Sequence, residues 1–180
     1  RAASFREKAE VRIWTPLRKK GLPICIDPFQ TPSANLDQEE SITAWDMVAA
    51  GFTALADYDM EKPAGKQVRT YLYEILIHMT RLGVKVNDFL ALSRAVKSPD
   101  KILTDHLYVD EIDKPDWDDI CAEFDIPDLT SMLPKSTYDE LSRRLAAYSS
   151  GINQLLFSNG VPIDIDTMIK PSRAERTPIN

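Results

Sequence analysis

Between residues 70 and 82 the chain reads TYLYEILIHMTRL, and apolar side chains reach nearly every side of the helix this spacing predicts. Tyr71, Leu72, Tyr73, Ile75, Leu76, Ile77, Met79 and Leu82 cover most of its surface, while Gln67, Thr70, Glu74, His78 and Arg81 keep to one polar stripe. A helix apolar almost all round must be packed on several sides, so it is expected at the centre of a small domain. Gly83 is placed to end it as a C′ glycine.

The flanking segments carry narrower faces. A helix over residues 41–58, with Ser41 as N-cap behind Asp37, Glu39 and Glu40, turns Trp45, Val48, Ala49, Phe52, Leu55 and Ala56 to the core. Pro63 and Gly65 mark the turn that follows. A short helix over 87–96, capped by Asn87, buries Phe89, Leu90, Leu92 and Val96, and Ser98-Pro99 opens another piece to residue 107. Pro115 suits a first helical position and the acids after it suit a first turn, which predicts a helix over 115–124 with Trp117, Ile120, Cys121 and Phe124 inside. After a connector over 126–134, Tyr138, Leu141, Leu145, Tyr148, Ile152, Leu155 and Phe157 predict one long helix over 136–158. Ser136 and Asp139 imitate a capping box there. Ser149, Ser150 and Gly151 weaken any coiled coil, so this helix is expected to pack on the 70–82 helix.

Outside these helices the pattern breaks. Residues 2–14 are good helix formers with a thin apolar face, whereas Pro16, Pro23, Pro28 and Pro32 exclude a helix over 15–40. The piece LPICIDPF at 22–29 reads as a short strand or extended segment held by Ile24, Ile26 and Phe29. Residues 161–180 read as a second extended arm. The expected fold is therefore mainly α: one helical domain of five to six helices over 41–160, with an N-terminal arm over 1–40 and a C-terminal tail over 161–180.

Composition adds little to this until charge is mapped. Of 180 residues, 43% are hydrophobic and 28% charged, ordinary for a globular chain. No apolar run approaches the roughly 20 residues of a membrane span. The chain starts at Arg1, reads as a trimmed or processed piece, and is expected in the cytoplasm, the nucleus or a virus particle. Cys25 and Cys121 lack a CxxC partner and read as reduced thiols, with one bridge between them left open. The net charge of −6 hides an asymmetry: residues 1–20 carry seven cations against two acids, or +5. Residues 170–180 add +2, which leaves −13 for the body. Basic ends around an acidic body point to contacts with nucleic acid, with an acidic protein, or between copies of the chain.

Candidate chemistry is sparse. His78 and His106 with two cysteines have no zinc spacing, and the acidic run lacks the order of a calcium loop, so no metal or cofactor is expected. There is no GxSxG and no glycine-rich phosphate loop, and no catalytic residue is assigned. Residues 75–92 are read as a helical hairpin in preference to a DNA-reading helix-turn-helix, because Met79 stands where crossing helices need a small residue. Two stretches remain. Arg12, Trp14, Arg18, Lys19 and Lys20 mix cations with an aromatic, as contacts to phosphates and bases would. Asp110, Glu111, Asp113, Asp116, Asp118 and Asp119 form an acidic face for a basic partner. The reading that covers both is a non-enzymatic assembly protein, whose basic arm docks on the acidic helix of another copy or a protein partner. A nucleic-acid-coating protein, such as a viral nucleocapsid or capsid subunit, ranks second, and an enzyme without a recognisable motif third.

Overall fold

A computed structural model describes residues 24–158 and 161–162; the helix formers at 2–14 and the outer parts of both arms lie outside the described residues. The fold is mainly α, as the periodicity predicts. Among the described residues the helices are α1 (Gln38–Leu55), α2 (Pro63–Arg81), α3 (Phe89–Lys97), α4 (Pro99–Leu107), α5 (Trp117–Phe124), α6 (Lys135–Ala146) and α7 (Gly151–Ser158). Seven helices stand where five to six were expected, because the helix predicted over 136–158 is two. A 3₁₀ turn over Ala147–Ser149, extended backbone at Ser150 (φ −141°) and Gly151 in the left-handed region (φ +66°) interrupt it. Two serines and a glycine in a row supply too little helix propensity to carry the ladder through.

The chain divides into two compact units. One comprises Arg1–Asp27 and Gly151–Asn180. Its described part holds α7 and a parallel bridge between β1 (Ile24–Cys25) and β2 (Val161–Pro162), with Ile24 opposite Val161 and Cys25 opposite Pro162. The Ile26 amide donates to the Leu156 carbonyl at 2.9 Å. Of the short strand or extended segment expected at 22–29, the described residues show strand at Ile24–Cys25, and Ile26, expected to hold it down, is 44% exposed.

The other unit, Pro28–Ser150, contains α1 to α6. α2 is its hub. Val68, Tyr71, Leu72, Ile75, Leu76 and Met79 are buried along it, and the stripe at Gln67, Thr70 and Arg81 is exposed. α2 lies along α1, joined by Arg69 to Asp46 (Nε to Oδ1, 2.8 Å). Gly65 permits this start, since a Cβ there would overlap the Asp59 carbonyl. Tyr71 donates to the Val96 carbonyl at the end of α3 (2.7 Å) and meets the Tyr138 ring of α6 edge-on at 5.1 Å. Arg81 donates to the Phe124 and Asp125 carbonyls after α5.

α6 does not lie mainly along α2, as its apolar face suggested. Its chief partner is α3, where buried Ser93 and Ser142 share a hydroxyl hydrogen bond of 2.9 Å. Small side chains let two helices approach closely, and a polar pair is invisible to a reading based on apolar spacing. For the same reason α3 buries Ser93 and Ala95, and Leu90, expected inside, is exposed. Phe29, Phe52, Phe89 and Tyr148 form a ring cluster with centroid separations of 5.0–5.9 Å, the range that favours edge and offset contacts. The caps also shift from expectation. Asp37 and Glu40 make the capping box of α1 in place of Ser41, Asp88 caps α3 in place of Asn87, and α6 starts at Pro134 without a side-chain cap.

Candidate docking face

α4 is capped by Tyr108 and α5 begins at Trp117, and the link between them reads VDEIDKPD over residues 109–116. No helical or alternating period runs through it. Its two large apolar side chains therefore have no shared face to bury, and Val109 is 69% and Ile112 99% exposed.

Hydrogen bonds fasten the link at both ends. Tyr108 donates from Oη to Glu123 Oε2 at 2.7 Å, which pushes the phenol up to about 12. Lys114 Nζ donates to Asp105 Oδ1 at 2.6 Å and lowers that carboxyl below its ordinary range. Trp117 Nε1 donates to Asp128 Oδ1 at 2.9 Å, and the same oxygen accepts from the Thr130 hydroxyl (2.6 Å) and amide (3.0 Å). These bonds, the Thr130 hydroxyl first, hold Asp128 down at about 2. Three of the local acids are thus consumed in building the loop.

The other six are not. Asp110, Glu111, Asp113, Asp116, Asp118 and Asp119 are all exposed, and none of their side chains forms an ion pair or hydrogen bond with another described residue. Asp116, Asp118 and Asp119 stand at the start of α5, where the helix dipole favours negative charge. Asp110, Glu111 and Asp113 have no such structural use. Carboxylates this close repel one another, and a cationic partner relieves that repulsion.

All six predicted acidic residues are exposed, three in the link and three at the start of α5. Arg12, Trp14, Arg18, Lys19 and Lys20 lie outside the described residues. Val109 and Ile112 are exposed in the same link, and spacing arguments passed over them. The signal available was an apolar residue set singly between acids in a segment with no period. Cys121, on α5, is a free, half-buried thiol whose pKa is raised by desolvation and by the charges of Asp128 and Asp118. Such a thiol is a poor nucleophile. Among the described residues no group of three or more His, Cys, Asp or Glu is arranged to hold a metal ion, and no helix is long and apolar enough to cross a membrane.

A second recess lies on the outer side of α1, an open hollow of about 590 Å³ lined by Leu36, Thr43, Ala44 and Met47 with Asp37, Glu39 and Glu40 at its rim. Asp37 and Glu40 bond to each other's backbone amides in the capping box, which leaves Glu39 as its unengaged carboxylate. Its electrostatic pull is correspondingly weaker. No family model, curated protein or solved structure matches the chain.

Proposed function

We propose that this protein is a non-enzymatic assembly protein, in which the basic residues 1–20 of one copy dock on the acidic link and α5 start of another. One observation carries the reading: over residues 109–119 six exposed carboxylates, none with a side-chain partner among the described residues, accompany two exposed apolar side chains, while neighbouring Asp105, Glu123 and Asp128 are hydrogen-bonded. The +5 charge of residues 1–20 is the complement of that surface. Exposed opposite charges steer encounter and fix register.

The test is the mass of the full chain in solution, by light scattering over a range of protein and salt concentrations, beside a variant lacking residues 1–20. The deletion stops at Lys20 because Phe29 belongs to the ring cluster. Association of the full chain that weakens with salt and disappears in the deletion supports the proposal. A monomer at every concentration and ionic strength overturns it.

A second reading rests on the mixture of Arg12, Arg18, Lys19 and Lys20 with Trp14. Cations with an aromatic suit a phosphate backbone and stacked bases, as in a nucleic-acid-coating protein of the viral nucleocapsid kind. It predicts retention of single-stranded RNA or DNA at low salt that falls as salt rises and is lost when those four cations are replaced. Either reading places the protein inside a cell or a virus particle.

A further inference from the structure

We infer that Val109 and Ile112 are the anchor of the acidic face, and that the apolar centre of a second copy's residues 12–20, Ile13 with Trp14 and Leu17, is what covers them. The inference rests on the assembly reading and adds to it where the binding energy resides. Among the described residues nothing covers Ile112, 99% exposed, or Val109, 69% exposed, and the +5 charge of residues 1–20 of a second copy complements the carboxylates beside them. Burial of one fully exposed isoleucine contributes more than any single exposed ion pair, whose Coulomb gain is screened and offset by side-chain ordering. An interface made of the carboxylates alone would be weak.

The two stretches carry opposite charge, and each mixes its charges with large apolar residues. The face reads V-D-E-I-D, with apolar positions 109 and 112 set among Asp110, Glu111 and Asp113. The segment reads R-I-W-T-P-L-R-K-K, with an apolar centre between Arg12 on one side and Arg18 to Lys20 on the other. Docking one on the other brings the apolar centre of the segment to Val109 and Ile112 and its cations to the carboxylates between and after them. Tryptophan and arginine are the residue types that most often dominate such interfaces.

The experiment uses the full chain and measures self-association by sedimentation at several salt concentrations. Ile112→Ser should weaken association about ten- to hundredfold, the worth of one buried aliphatic side chain, and leave its salt dependence unchanged. The triple variant Asp110→Asn, Glu111→Gln, Asp113→Asn should flatten the salt dependence. Trp14→Ala should weaken association as well, and Trp14→Ala with Ile112→Ser should cost less than the two separate losses combined, because contacting residues are not additive. Thermal unfolding of Ile112→Ser should match the parent, since the side chain takes no part in the core. If the charge variant loses association while Ile112→Ser keeps it, or if the Trp14 and Ile112 losses add fully, the anchor is wrong and the assembly reading stands. If the unaltered chain never associates, both fall.

Discussion

His78 sits on the polar stripe of α2 and yet is only 9% exposed. Its Nε2 lies 3.1 Å from Glu74 Oε2, and its Nδ1 is buried without a hydrogen-bond partner among the described residues. Burial first, and then the charge of Arg81, lower its pKa; Glu74 and Asp125 oppose this without reversing it. The unfolded chain takes up that proton near the usual value of about 6.5, while the folded chain resists it. Stability supplied by neutral His78 is therefore complete above about pH 6.5 and drains away as pH falls through the lower folded value. Thermal melts between pH 7.5 and 5 should show a falling midpoint, and His78→Gln should remove that slope. Asp128 acts in a separate window. Its folded pKa of about 2 means that its contribution is present above the ordinary carboxylate value of about 4 and is lost as pH falls from there toward 2. Asp128→Asn should flatten the melts in that lower range alone. The sequence placed His78 on the right stripe of the right helix. Its burial was not legible, because it depends on the segment after α5, where Arg81 reaches the Phe124 and Asp125 carbonyls, more than forty positions away.

At the scale of elements, α1 shows how a helix can end without a glycine. Asp57 takes the left-handed conformation (φ +58°) that a glycine would adopt without strain. The carbonyls left open at this end are met from the far side of the unit: Tyr148 Oη donates to Leu55 (2.7 Å), and Arg144 Nη1 donates to Ala56 (2.7 Å) and Asp57 (2.9 Å). Arg144 also pairs with Glu140 at 2.7 Å and lies 4.8 Å over the Tyr58 ring. Charge-assisted bonds to carbonyls are worth about 1.5–3 kcal/mol, a neutral hydroxyl bond about 1. Arg144→Ala is expected to lower unfolding free energy by about 2–3 kcal/mol in urea titration, Tyr148→Phe by about 1, and Arg144→Lys should recover only part, lacking the planar fork. Apolar spacing located α1 and the start of α6 within a few residues, since an amphipathic stripe is written in the order of the chain. The bonds joining their ends are not, because Arg144 reads locally as a surface partner for Glu140. Tyr138 plays a similar hidden part: its hydroxyl donates to the Leu129 carbonyl (2.6 Å) and accepts from the Leu133 amide (3.0 Å), holding a connector whose Ile126, Leu129 and Leu133 are core residues.

For the whole molecule, the proposed docking of arm on face would join two different surfaces, and such heterologous contacts close into rings or run on as filaments unless two copies exchange arms reciprocally. Mass distributions at low salt should therefore extend past the dimer or stop there as an exchanged pair, and rising salt should return either to monomer as the charges are screened. The chain's own order determined much of this: the helical class, the hub at α2, the basic residues 1–20 and the acidic stretch at 110–119 all follow from neighbours a few positions apart, where periodicity and charge are local properties. Tertiary structure alone decided three things. It paired α3 with α6 through Ser93 and Ser142, it buried His78, and it left Val109 and Ile112 exposed beside carboxylates that have no side-chain partner among the described residues. Each depends on which distant segments come to lie alongside, and the free energy of burial is fixed by that surrounding, not by the residue's place in the sequence.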